Sequence, residues 1–140
     1  MNGKNMCEMI KGKCLCGRVE YEIENKFDQF YICHCQQCRK ITGSAYASNL
    51  FGDPRQFNII SGSEDIKRFD YNERGFTKAF CTECGSGVPY LNSSGKAIVV
   101  PAGTLDAEPV FNDKKIIFYK EKPKWCSENE NDSYFDEFPV

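Results

Sequence analysis

The chain has 140 residues, 41% of them hydrophobic and 27% charged, with a net charge of −2 and a pI near 5.5. That length suits one domain with a core of its own, and the acidic balance excludes a protein whose main work is gripping phosphate backbones. The opening MNGKNMCEMI lacks the apolar run of a signal peptide, and the longest apolar stretch, AIVVPAG near residue 100, is too short to span a bilayer. A cytoplasmic protein with neither membrane nor nucleic-acid partner is expected.

Residues 1–9 read as a short N-terminal lead and 10–140 as a single domain. In GRVEYEIE (17–24), Val19, Tyr21 and Ile23 alternate with Arg18, Glu20, Glu22 and Glu24, the pattern of a half-buried antiparallel strand. FDQFYI (27–32), AYASNLF (45–51), FNII (57–60) and IKRFDY (66–71) predict further short strands, as do FTKAF (76–80), AIVV (97–100) and KIIFY (115–119). All are rich in aromatic and β-branched residues. FGDP, SGSED, NERG, CGSG and NSSG mark the turns between them. One turn of helix is expected through QQCRKI after Cys35, and no segment shows helical periodicity over ten or more residues. The polar tail SENENDSYFDEF carries Tyr134, Phe135 and Phe138, which are expected to dock on a sheet. The whole predicts an all-β domain of short, mainly antiparallel strands.

Nine cysteines have to be placed on that frame. A reducing compartment keeps thiols free, so clustered cysteines point to metal or catalysis before disulfides. Cys81 and Cys84, in CTECGSG, form a turn that aims two thiols at one point, and Gly85 permits the left-handed backbone such a turn uses. Cys14 and Cys16, in GKCLCG, are the natural partners, because residues i and i+2 of an extended segment share a face. Together these four thiolates make a closed tetrahedral set of the structural-zinc kind, whose binding energy goes into folding.

Cys33, Cys35 and Cys38, in CHCQQC, remain. Three thiolates leave one tetrahedral position for an exchangeable ligand, the feature that separates catalytic from structural zinc. Two other readings stand beside this one: a second structural site completed by Cys7, Cys126 or His34, and a thiol redox switch. His34 is the chain's one histidine, and alternation turns it away from the face shared by Cys33 and Cys35, so it reads as a packing residue. Arg39 and Lys40 either offset thiolate charge, grip a substrate carboxylate, or are solvated. Cys7 and Cys126 stand alone in spacing and read as incidental thiols.

GKCLCGRVEYEI, CHCQQCRKITGSAY, IISGSEDIKRF, FCTECGS, PAGTLD and KPKW follow one another between about Gly12 and Pro139. In this order they resemble the glutathione-dependent formaldehyde-activating enzyme (GFA) family, also called the CENP-V/GFA domain. The resemblance implies a β-tent fold organised around two zinc ions per chain. It implies Cys14, Cys16, Cys81 and Cys84 as ligands of a structural zinc, and Cys33, Cys35 and Cys38 as ligands of a catalytic zinc. It also implies a carbon–sulfur lyase of the S-(hydroxymethyl)glutathione synthase type, joining glutathione or another small thiol to formaldehyde or a related aldehyde. A non-catalytic zinc-binding interaction module and a zinc or thiol redox sensor are the competing functions. One departure stands out: where many relatives carry a histidine before the late tryptophan, this chain reads DKKIIFYKEKPKW.

Overall fold

The computed structural model describes residues 8–139. Eleven strands form three small sheets, and the single α-helix among the described residues is α1, Gln36–Thr42. The first sheet joins β1 (Met9–Lys13), β2 (Glu20–Glu24) and β5 (Phe57–Ser61) in the order β1-β2-β5, all antiparallel. The second contains β3 (Phe27–Cys33), β4 (Ala47–Gly52), β9 (Tyr90–Leu91), β10 (Ile98–Pro101) and β11 (Phe111–Ile117), ordered β11-β3-β4-β10-β9. The third joins β6 (Ile66–Tyr71), β7 (Phe76–Cys81) and β8 (Gly87–Val88) in chain order.

The strand-dominated fold expected from the sequence is what the structure shows, and the alternation in β2 holds. Val19, Tyr21 and Ile23 are wholly buried while Glu20, Glu22 and Glu24 are partly exposed. Three strands were not anticipated. MIKGK (β1) carries only one large apolar side chain inward, Ile10, and β8 and β9 have two residues each, too few for any periodicity. β11 starts four residues before the predicted KIIFY, because pairing with β3 rather than hydrophobicity defines it; six of its seven residues are exposed. That β11–β3 pairing is the one parallel ladder among the described residues.

The main core lies between the first two sheets. Ile10, Tyr21, Ile23, Phe27, Leu50, Ile98 and Val100 pack there, a cluster that excludes water by summing many small burial terms. Tyr21 keeps its hydroxyl satisfied through a 2.6 Å hydrogen bond with Thr104 Oγ1. Gly12 lies directly over that ring, where a Cβ would collide with the Tyr21 hydroxyl. A second cluster (Cys14, Val19, Ala79, Cys81 and Val88) links the first sheet to the third, and a smaller one surrounds Cys33, Cys38 and Ala47. Sulfur is therefore built into two of the three clusters. The tail does not dock as expected: Tyr134, Phe135 and Phe138 are 75%, 59% and 82% exposed.

Candidate metal centre and its pocket

Two local turns bring the first cysteine set together. After β1 the chain tightens, with Gly17 N–H donating to Cys14 O (3.1 Å) and Cys14 N–H to Val19 O (3.0 Å). Val19 N–H points at Cys14 Sγ, 3.3 Å away. After β7 the chain makes the matching turn: Gly85 N–H donates to Cys81 O (2.7 Å), with Gly85 at φ +79°, the left-handed conformation its sequence position predicted. Ser86 joins the two turns. Its hydroxyl accepts from Leu15 N–H at 3.0 Å and lies 3.2 Å from Cys84 Sγ. The Cys84 thiol donates to that hydroxyl, and once the sulfur is a thiolate the hydroxyl hydrogen turns to donate to it. That bond is the foremost reason the Cys84 thiol is pulled down to about 5.

The sulfurs of Cys14, Cys16, Cys81 and Cys84 lie within 4.8 Å of one another. Cys14 and Cys16 are separated by 3.6 Å and Cys16 and Cys81 by 3.8 Å. These spacings far exceed a disulfide bond. They fit the edge of a tetrahedron with Zn–S bonds of about 2.3 Å, which is about 3.8 Å. All the described cysteines are free thiols. Four soft donors with backbone and hydroxyl hydrogens aimed at them make a set fit for zinc.

The second set is built on a strand end and a helix start. Cys33 closes β3, Cys35 is the N-cap of α1 in extended conformation, and Cys38 lies in the first turn. Cys35 Sγ accepts from Cys38 N–H at 3.4 Å, so the thiol does the work usually given to a capping hydroxyl. The three sulfurs lie within 4.8 Å of one another. Burial is the main cause that pushes the Cys33 and Cys38 thiols up. As anions these sulfurs call for a cation among them, again a donor set suited to a soft metal ion.

The two sets differ in what faces them. The three-cysteine set forms part of the wall of a cavity of about 440 Å³, to which Tyr31, Asn49, Phe76, Tyr90, Arg74 and Glu121 also contribute. That volume falls in the range of small-ligand sites. Glu121 is the one carboxylate among the described lining residues, and its Oε1 accepts from Gln36 N–H at 2.9 Å. Burial raises the Tyr90 phenol to about 12, keeping it protonated at neutral pH. Phe118, at the rim, has φ +52°, the one non-glycine residue in the left-handed region among those described.

His34 does not join the sulfurs. It is 4% exposed, its Nδ1–H donates to Ala45 O at 3.0 Å, and its ring meets Tyr46 and Tyr119 edge-on. The packing role inferred from alternation is the one the structure shows. Cys126 belongs to neither cluster, and Cys7 lies outside the described residues. Arg39 and Lys40 part company: Lys40 lines a neighbouring cavity, while Arg39 Nε is buried without a partner among the described residues. Sequence reasoning missed Asn49, Arg74, Tyr90 and Glu121, because each comes from a different element and none stands in a recognisable spacing to the cysteines.

A β-rich domain with one closed four-cysteine set and one three-cysteine set opening on a cavity defines a class: a small cysteine-rich protein equipped to hold two metal ions. Residues 9–121 match the model of the family described as glutathione-dependent formaldehyde-activating enzyme, and the chain belongs to that family. Among solved structures, the crystal structure of a Rhodobacter sphaeroides protein, a structural-genomics target, is similar with a TM-score of 0.57 and 22% identity. The likeness covers 73% of this chain and 99% of that one, and it speaks for the fold. Among the described residues, no helix is long and apolar enough to cross a membrane.

Proposed function

We propose that the protein is a zinc-dependent carbon–sulfur lyase that joins the thiol of glutathione, or of a related small thiol, to formaldehyde or a similar aldehyde. The observation that carries this reading is the contrast between the two cysteine sets. Four sulfurs satisfy one another's geometry, whereas three converge on the wall of a ligand-sized cavity. In this reading Cys14, Cys16, Cys81 and Cys84 hold a structural zinc and Cys33, Cys35 and Cys38 hold a catalytic one. When bound at the three cysteines, zinc supplies Lewis acidity that favours a thiolate over a thiol at neutral pH.

The chain's own residues then have defined tasks. Cys33 from the strand and Cys35 and Cys38 from the helix fix the reacting end of the cavity on rigid elements. Phe76 and Tyr90 shield it from water, and the cavity holds thiol and aldehyde side by side, which converts a collision of two solutes into a local event. In the reaction the sulfur lone pair attacks the carbonyl carbon, the C–S bond forms, and the C=O π bond breaks. The thiol proton ends on the oxygen. In this reading Glu121, on the cavity wall with its carboxylate accepting from Gln36 N–H, carries that proton, accepting and returning it without net change.

The uncatalysed addition is itself measurable, so the test is acceleration above background. Magnetization-transfer NMR on glutathione and formaldehyde with catalytic amounts of zinc-loaded protein is expected to show faster exchange between free and hydroxymethylated thiol. Cys35→Ser is expected to abolish the acceleration and Glu121→Gln to reduce it at least tenfold. Exchange no faster with wild-type protein than without it would overturn the enzymatic reading.

A further inference from the structure

A second cavity, of about 390 Å³, adjoins the one at the three cysteines, and Gln37, Arg74 and Phe76 line both. The second is bounded by α1 on one side, through Gln36, Lys40 and Ile41, and by the β6–β7 hairpin on the other. Its chemistry differs from that of its neighbour. Lys40 and Arg74 are its two charged lining residues, both cationic, and neither has an ion-pair partner among the described residues. Glu73, exposed in the hairpin turn beside Arg74, lines neither cavity, and Asp70 is spoken for. It receives the Thr77 hydroxyl at 2.7 Å and the Arg68 guanidinium at 3.2 Å. Alternation along β6 also sends Asp70 to the opposite face from Phe69 and Tyr71, whose stacked rings (6.3 Å, 15°) form the floor. Two unpaired cations above an aromatic floor make a site for a carboxylate at the end of a partly apolar chain.

Shared walls put that carboxylate beside the sulfurs, since Gln37, Arg74 and Phe76 line both cavities. Cys35 caps α1 and Lys40 lies five positions further on, about 7.5 Å along the helix axis and about 140° around it. A peptide-like thiol whose carboxylate lies two residues' reach from its sulfur spans about 7 Å. We infer that the Lys40–Arg74 cavity binds the terminal carboxylate of the thiol whose sulfur enters the three-cysteine pocket. The preferred substrate is then an extended, carboxylate-bearing peptidic thiol rather than a compact neutral one. This rests on the thiol-addition reading above and adds a specificity determinant to it.

The test separates the two. S-methylglutathione has the carboxylates and the length but no ionisable thiol, so its binding reports the new subsite alone. Titration calorimetry on zinc-loaded protein is expected to show binding that Lys40→Gln and Arg74→Gln each weaken about fivefold or more. The same substitutions are expected to leave zinc content and melting temperature unchanged, because Lys40 is exposed on α1 and Arg74 exposed in a turn. The affinity is expected to fall with added salt, and the diethyl ester of the ligand is expected to bind wild type no better than the variants do. Equal binding by wild type and both variants, or by acid and ester, would overturn the subsite. So would an absence of S-methylglutathione binding to wild type. In that case glutathione binding that depends on Cys35 leaves the thiol reading standing, and no glutathione binding at all removes both.

Discussion

Ser86 shows how much a single hydroxyl decides. It closes the gap between two turns that are far apart in sequence, accepting from Leu15 N–H while facing Cys84 Sγ. Its bond is the largest cause holding the Cys84 thiol near 5, against an ordinary thiol value of 9.0. A group whose folded value is depressed contributes stability that is complete above its unfolded value and is lost as pH falls through the folded one. The window here runs from about 9 down to about 5. Metal competes with protons for the same sulfur, so a hydrogen bond that lowers its proton affinity delays release of the ion on acidification. Ser86→Ala removes the donor and moves the Cys84 thiol back up. Metal release, followed with a colorimetric chelator across a pH series, is expected to begin at a higher pH in Ser86→Ala than in wild type. An unchanged profile would mean the hydroxyl does not tune the sulfur.

At the scale of elements, close approach rather than propensity shapes the first sheet. Gly12 sits in β1 opposite Tyr21, and a methyl group there would strike the Tyr21 hydroxyl and the Thr104 carbonyl. Gly12→Ala is therefore expected to destabilise by about 1–3 kcal/mol, the range for overpacking a filled core. Gly103, with open space around its Cα, is the control; Gly103→Ala is expected to change stability by less than about 1 kcal/mol. Urea unfolding reads both, as a shifted midpoint at constant slope. The same elements show what sequence could carry. β2 was legible because two buried residues alternate with three glutamates within it, and α1 because CHCQQC needs a turn to gather its thiols. β1, β8 and β9 were not, since two to five residues with one or two inward side chains carry no period. β11 was read too short, since its exposed first residues are strand only through the ladder with β3. The cysteine partition was legible from spacing alone, whereas the cavity walls are assembled from residues that only the fold brings together.

For the whole molecule, the two cysteine sets bear on the chain in different ways. Cys16 and Cys81 are 65 positions apart, so an ion held by the first set closes a long loop and ties the first sheet to the third. Closing a loop of that size removes much conformational freedom from the unfolded chain. Cys33, Cys35 and Cys38 lie within six residues at one corner, and an ion there constrains little chain beyond the start of α1. Metal analysis of the purified protein is expected to give close to two zinc ions per chain, and one or none would sink the two-site reading. Stepwise chelation is expected to remove the first ion with little change in circular dichroism, because three thiolates on a cavity wall hold it less completely than a closed set of four. Removal of the second is expected to unfold the protein. Cys35→Ser should then retain one zinc and a folded spectrum while losing activity, whereas Cys81→Ser, at 0% exposure in the cluster between two sheets, should fail to fold or should aggregate. If Cys35→Ser proved the more destabilising of the two, the structural and catalytic roles proposed for the two sets would have to be exchanged.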